Sequence, residues 1–285
     1  MRCYAVTGQK GLRLLTKHAF TCDSYHLPID ASEPCCRFNE SGPFDLIGDV
    51  HGCYHELCSL LRQLGYQVEQ QNYTALPPQG RTSVFLGDLC DRGPYPVETL
   101  RLAMNMERTG NAIFVTGNHD DALFRRLNGK SAPGIRGVDE TVSIIEAMPD
   151  TNIFSREVSN FLEQGKSHYV LDEGRLIAAH AGQKEEYHGQ QSVASKEFAL
   201  NGEITGGLDE FGLPVILDWS RNYTGKAFVV YGHIAKLEAE IHNNTICIDT
   251  GCVYGSKLTA LRYPERQIIS VQSEKTYYKP NKPLI

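Results

Sequence analysis

Residues 44–52 read Phe44-Asp45-Leu46-Ile47-Gly48-Asp49-Val50-His51-Gly52, a short apolar strand that runs straight into a Gly/Asp/His loop. Beyond it Leu57, Leu60, Leu61 and Leu64 recur at the helical period and make one apolar face, so the unit is strand, polar loop, helix. The same order returns twice. Ser83 to Leu86 leads into Gly87-Asp88-Leu89-Cys90-Asp91-Arg92-Gly93 and a helix over Val97, Leu100 and Met104. Ala112 to Val115 leads into Gly117-Asn118-His119-Asp120 and a helix over Leu123 and Leu127. Parallel strands need long crossovers, so repeated units of this kind predict a parallel sheet with helices on its faces.

Downstream the apolar runs crowd together at His168 to Leu171, Leu176 to Ala179, Phe228 to Tyr231, Thr245 to Ile248, Leu258 to Arg262 and Ile268 to Val271. They predict a second sheet packed on the first. The fold class expected is therefore α/β, two packed mixed β-sheets flanked by helices. Residues 131–165 and 183–225 look helical or irregular, and their Gly and polar content reads as surface insertions rimming a site. Residues 1–42 show neither period and read as an N-terminal extension of no assigned role, which leaves one domain over 43–285.

A chain of 285 residues, 41% of them hydrophobic, is long enough to bury one large core. The formal net charge of -6 argues against a broad basic surface that tracks a nucleic-acid backbone, though not against a nucleic-acid end or a small anion. Nine cysteines is an odd count, none forms a Cys-x-x-Cys pair, and Cys35 and Cys36 are adjacent. Reduced thiols in a cytoplasmic protein are expected. No apolar run is long enough to span a bilayer, and Gln9, Lys10, Arg13 and Lys17 interrupt any signal-peptide pattern, so no membrane role is expected. No obligate protein partner can be inferred.

Open α/β sheets gather their sites at the carboxyl ends of strands. Here three consecutive strands deliver Asp, His and Asn to such loops, and His180 and His233 follow apolar strands in the same manner. Oxygen and imidazole donors without a thiolate suit a catalytic centre of borderline divalent ions. Two such ions, roughly 3.5 to 4 Å apart and sharing a carboxylate, would clamp a phosphoryl group and supply a nucleophile near neutral pH.

The ordered set Asp-x-His, Gly-Asp-x-x-Asp-Arg-Gly, Gly-Asn-His-Asp, His and Gly-His resembles the calcineurin-like metallophosphoesterases, from about Phe44 to the C-terminal region. The resemblance implies a phosphate-ester hydrolase with two divalent metal ions, manganese first, with nickel, iron, zinc and cobalt as alternatives. It implies Asp49, His51 and Asp88 on the first metal and Asp88, Asn118, His180 and His233 on the second. By the same resemblance His119 is the general acid with Asp91 beside it, and Arg92 grips the phosphate together with Asn118 and His119. The chemistry agrees, since an adjacent carboxylate favours imidazolium and a guanidinium fork matches phosphate oxygens. Many related phosphodiesterases end in Gly-His-x-His, whereas position 235 is Ala here. That departure points toward the phosphatase-like branch.

A narrower resemblance lies in the second half. His168 to Leu176, His180 to Tyr187, Gly212 to Trp219 and Asn243 to Arg266 are similar to the phosphatase module of bacterial polynucleotide kinase-phosphatase. This implies 2′-, 3′- or 2′,3′-cyclic phosphates at RNA or DNA ends as substrate, and Asp249 as a further substrate-binding carboxylate. Asp249 reads equally well as the cap of a strand-to-turn transition. Gly8-Gln9-Lys10-Gly11 is not a phosphate-cradling kinase loop. Two substrate alternatives stand beside this one, symmetrical cleavage of dinucleoside tetraphosphates and Ser/Thr or Tyr protein dephosphorylation; a scaffold that binds metal without turnover is the non-enzymatic alternative. His18, His26, His55, His168, His188 and His242 read as structural. Trp219 and Tyr223 read as core aromatics or base-stacking platforms, Cys90 and Cys252 as packing residues, and Arg125 and Arg126 as a solvated helix face.

Overall fold

The computed structural model describes residues 19–20, 29–30 and 32–284. The strands of its two main sheets are, in chain order, β1 (Cys36–Arg37), β2 (Phe44–Ile47), β3 (Thr82–Phe85), β4 (Ala112–Phe114), β5 (His168–Leu171), β6 (Leu176–Ala179), β7 (Phe228–Tyr231), β8 (Ile241–His242), β9 (Thr245–Cys247), β10 (Lys257–Tyr263) and β11 (Gln267–Gln272). The α-helices among the described residues are α1 (Tyr54–Gln63), α2 (Pro96–Arg108), α3 (Asn118–Leu127), α4 (Val138–Glu146), α5 (Thr151–Gln164) and α6 (Val193–Asn201).

The first sheet runs β11-β10-β2-β3-β4. Its β2, β3 and β4 are parallel, as the repeated units predict, and the β10–β11 hairpin adds antiparallel to β2. The second sheet runs β8-β9-β7-β6-β5-β1. There β6, β7 and β9 are parallel, β5 and β8 antiparallel, and β1 pairs parallel with β5. Strand β1 falls within the stretch that shows no period in the sequence. It is two residues long, too short to carry one, and the Val170 N–H anchors it on Cys35 O at 2.9 Å. Of the proposed extension, residues 1–18, 21–28 and 31 lie outside the described residues.

Side chains alternate across each strand, and that period of two sorts the core into layers. Leu46, Val84 and Ile113 meet Leu171, Ala178 and Val230 between the sheets. Their neighbours Ile47, Phe85 and Phe114 face outward onto Leu57, Leu100 and Leu123 of the helices. Ile177 and Val229 face the other way, onto Phe198, Trp219 and Tyr223. The result is the expected pair of mixed sheets with helices outside.

The two presumed surface insertions need correction. Residues 131–165 contain α4 and α5, whose Val138, Ile145, Phe154 and Val158 are buried in the largest core cluster. Residues 183–225 contain α6 and a hairpin of Glu203–Leu208 with Pro214–Leu217, and Phe198, Trp219 and Tyr223 close the outer face of the second sheet. Their apolar residues are spaced among Gly and charges, which masks the buried face in a composition-based reading. Trp219 and Tyr223 are thus core aromatics, 4% and 7% exposed, with Trp219 Nε1 donating to Ala181 O at 3.1 Å. Arg125 pairs with Asp121 and Arg126 with Asp139 on the exposed helix surface.

Candidate metal centre and active site

The loops after β2, β3 and β4 meet those after β6 and β7, so both sheets contribute to one buried cluster. His180 shows how it is organised. Its Nδ1 lies 2.9 Å from Leu86 O; a carbonyl only accepts, so Nδ1 carries the proton and Nε2 presents a lone pair. That Nε2 lies 2.9 Å from Asn118 Oδ1, 3.1 Å from His233 Nδ1 and 3.5 Å from Asp88 Oδ1. Asn118 Oδ1 is in turn 3.1 Å from His233 Nδ1. Even a proton on His233 Nδ1 satisfies one contact in this set, and the remaining lone pairs face one another.

His51 repeats the arrangement on the other side of Asp88. Its Nδ1 donates to Cys90 O at 3.0 Å, and its Nε2 sits 3.5 Å from Asp88 Oδ2. Arg92 Nη1 donates to the same Nε2 at 2.9 Å. Asp88 therefore reaches a histidine with each oxygen, Oδ1 toward His180 and Oδ2 toward His51. The groups His51–Asp88–His119 and Asp88–His180–His233 each bring three ligand atoms within 4.8 Å of one another.

Asp49 enters from beside this cluster. The His233 N–H lies 3.2 and 3.1 Å from its two oxygens, and a Cβ at Gly232 would overlap Asp49 Oδ1, which is why glycine precedes His233. Asp249 is buried too, 5% exposed; its Oδ1 accepts the Gly251 N–H at 2.9 Å, so the turn-capping role is real. Burial, then the charges of Asp249 and Asp88, raise the Asp49 carboxyl well above the usual range. Burial pushes Asp249 up to about 6. Burial likewise holds His51, His180 and His233 below an ordinary histidine, His233 at about 3, which keeps the rings neutral. Crowded buried carboxylates beside neutral imidazoles are a donor set that a divalent cation satisfies, and oxygen plus imidazole without thiolate fits the borderline metals.

The backbone at this site is strained. His51 (φ 46°), Asp88 (φ 49°), Asp91 (φ 71°), Arg92 (φ 68°) and His233 (φ 72°) all occupy the left-handed region. Each such non-glycine residue costs on the order of 1 kcal/mol, and such strain clusters at functional sites.

Asp91 and His119 form a dyad, with His119 Nδ1 at 2.7 Å from Asp91 Oδ2, and both are buried. The His119 backbone N–H donates to Asp88 Oδ1 at 2.9 Å, and its ring meets His51 edge to face at 4.8 Å. Asn118 and His119 open helix α3, whose N-terminal end favours negative charge. All the expected metal and catalytic positions thus lie around one cluster, with Asp49 and Asp249 joined to it through His233 and through mutual repulsion rather than within the two tight triads.

Four contributors escaped the sequence reading. Asp120 accepts N–H groups from Asp88 (2.7 Å), Leu89 (3.1 Å) and Gly117 (2.8 Å), clamping the second loop to the third. Its place three residues after Gly117, at the start of a helix, is the signal that marks it. Thr141 donates to Asp91 Oδ1 at 2.6 Å, and nothing local in the sequence announces it. Tyr254 and Tyr278 flank Arg92, with its guanidinium carbon 5.8 and 5.9 Å from the ring centres.

The family model of the calcineurin-like phosphoesterases matches residues 42–237. The chain belongs to the calcineurin-like phosphoesterase family. It is a metal-dependent phosphoester hydrolase, and this family's centre is binuclear. The phosphoesterase is 40% identical over 237 residues to bis(5′-nucleosyl)-tetraphosphatase PrpE [asymmetrical] of Anoxybacillus flavithermus, spanning 82% of this chain and 96% of that one. It is 37% identical over 236 residues to the protein of the same name from Bacillus subtilis, again 82% and 96%. Among solved structures, a protein described as a candidate diadenosine tetraphosphatase superposes with a TM-score of 0.60 at 25% identity, over 84% of this chain and 96% of that one. A cold-active protein-tyrosine phosphatase of a Shewanella species shares the fold, with a TM-score of 0.52 at 15% identity over 85% and 82%. These likenesses support a phosphoesterase and do not single out the module of polynucleotide kinase-phosphatase. Of the stretch His168 to Leu176 that suggested that module, His168–Leu171 forms β5 and Leu176 opens β6, both buried, while Glu173 and Arg175 are exposed in the turn between them. No helix among the described residues is long and apolar enough to cross a membrane.

Proposed function

We propose that this phosphoesterase hydrolyses dinucleoside tetraphosphates asymmetrically, to a nucleoside triphosphate and a nucleoside monophosphate. The observation that carries the reading is the likeness to the Anoxybacillus and Bacillus tetraphosphatases over nearly their whole length. We assign Asp49, His51 and Asp88 to one cation and Asp88, Asn118, His180 and His233 to the other, with Asp88 as the bridge and manganese ahead of nickel, iron, zinc and cobalt. Two cations so held would supply Lewis-acid charge and a nucleophile ionised near neutral pH.

The chain's own groups do the rest. Arg92 donates its planar fork to phosphate oxygens, and the first turn of α3 adds an N-terminal dipole. His119 hands its proton to the leaving phosphate oxygen from Nε2 while Asp91 fixes the ring through Nδ1. Asp249 repels a second anion unless a cation sits between them, which keeps substrate entry tied to metal loading. No disulfide joins the described cysteines, a state suited to the reducing cytoplasm, where we place the enzyme.

Product analysis tests the reading. Metal-loaded protein is given diadenosine tetraphosphate, an RNA with a 2′,3′-cyclic phosphate end and a phosphopeptide in parallel. ATP plus AMP supports the proposal, and two ADP mark symmetrical cleavage instead. Preferred opening of the cyclic phosphate would favour polynucleotide ends, and preferred phosphopeptide turnover a protein phosphatase.

A further inference from the structure

After β11 the chain turns back toward the site. Glu56 on α1 is buried, 2% exposed, and its Oε1 accepts from the Ser273 hydroxyl (3.4 Å), the Glu274 N–H (3.0 Å) and the Tyr277 hydroxyl (2.9 Å). The N–H groups of Tyr277 and Tyr278 both donate to Val253 O, at 3.0 and 2.9 Å. This anchoring holds the segment against the turn that follows Asp249. Tyr278 comes to rest beside Tyr254, ring centres 6.5 Å apart and planes tilted by 57°. Arg92 lies against both rings, and both are half-buried, with part of each open to solvent. The segment 273–278 lies beyond the residues matched by the family model.

We propose that Tyr254 and Tyr278 form the nucleobase-binding wall of the active site, on which the base of the nucleotide whose phosphate Arg92 grips is stacked. The inference rests on the reading of the site as one that takes nucleotides, and it adds which residues recognise the base. One ribose separates base from phosphate, so a ring packed beside the phosphate-gripping guanidinium is within reach of the base. Stacking tolerates any base, because every base has a π-face, which suits a site that takes nucleosidyl groups rather than a defined sequence. Anchoring through Glu56 and Val253 O holds Tyr278 in place before ligand arrives, so little ordering is lost on binding. Trp219 and Tyr223, for which the sequence left both core packing and base stacking open, are closed in the core and cannot serve this role.

The test compares ATP with inorganic tripolyphosphate as competitors of p-nitrophenyl phosphate hydrolysis, in the metal-loaded full chain and its Tyr278→Ala and Tyr278→Phe variants. Each enzyme is judged by its own ratio of the two inhibition constants, so a general loss of anion binding cancels. In the unaltered chain ATP should bind about five- to a hundredfold more tightly than tripolyphosphate. Tyr278→Ala should erase most of that advantage, and Tyr278→Phe should keep it, because the ring and not the hydroxyl stacks. Equal ratios in the unaltered chain and in Tyr278→Ala overturn the proposal. Failure of the broader reading looks different, since it appears as an absence of diadenosine tetraphosphate cleavage whatever the inhibition ratio.

Discussion

The Thr141 hydroxyl donates to Asp91 Oδ1 at 2.6 Å, from a helix that begins 45 or more residues downstream of the loop it supports. Asp91 gives its other oxygen to His119 Nδ1, so Thr141 holds the far end of the acid dyad. Replacing Thr141 with Val removes the donor and leaves a buried carboxylate oxygen unpaired, which costs about 1 to 3 kcal/mol. We expect kcat on diadenosine tetraphosphate to fall about tenfold or more with Thr141→Val and to recover with Thr141→Ser. Unchanged rates in both variants would show that the hydroxyl does not position the dyad.

His119 itself should matter in proportion to the need for protonation. His119→Asn should slow cleavage of esters with poor leaving groups by about a hundred- to ten-thousandfold and activated aryl esters far less. Metal content measured on the same preparations should stay near that of the unaltered chain. An equal loss on both substrates would remove His119 from the general-acid role.

Metal removal should destabilise the fold as well as abolish turnover. Asp49, Asp88 and Asp249 are 3%, 2% and 5% exposed and repel one another, so a bound cation relieves the folded state alone. Saturating manganese, at a hundred to a thousand times its Kd, should add about 3 to 4 kcal/mol of stability over chelated protein. Asp88→Asn, which alters the residue proposed to serve both cations, should abolish that gain along with activity. A thermal midpoint that ignores chelation and manganese alike would refute the metal assignment.

Gly232→Ala should act through Asp49. The added Cβ overlaps Asp49 Oδ1, so the carboxylate must shift. Displacing a ligand or its support typically weakens metal affinity about ten- to a hundredfold, and that loss should appear in a metal titration of the variant. Affinity equal to that of the unaltered chain would mean that the loop yields without moving Asp49.

Two histidines away from the centre set an acid limit on stability. Burial, aided by His188, holds His168 at about 3, and burial holds His188 at about 4. The Gly189 N–H donates to His168 Nε2 at 2.9 Å, so a proton on that nitrogen would meet a second donor. The unfolded chain takes up protons near pH 6.5 and the folded one does not until pH 3 to 4. Between those limits the unfolded state binds more protons, and stability falls as pH falls, by about 1.4 kcal/mol per pH unit for each ring. Denaturant midpoints from pH 6.5 to 4 should drop, and His168→Gln should be shallower than the unaltered chain. Parallel slopes would refute the assignment.

The sequence alone determined the three strand-loop-helix units, because an apolar run and a helical period are local and need no partner to be read. It placed the candidate ligands as well, since Asp49 and His51 follow β2, and Asp88, Asn118, His180 and His233 follow β3, β4, β6 and β7, each an apolar run that is read locally, while assigning them to two cations needed a family resemblance. Pairing Asp91 with His119 needed a family resemblance, because their side chains meet across 28 residues. Only the tertiary structure decided the rest. Whether α4 is a surface insertion or core depends on what covers Val138 and Ile145. Whether Tyr278 or Trp219 faces a ligand depends on where the chain after β11 is anchored. Thr141, Tyr278 and β1 are joined to their partners by contacts between segments remote in sequence, and such contacts exist only once the two sheets have packed and brought the loops of both to one edge.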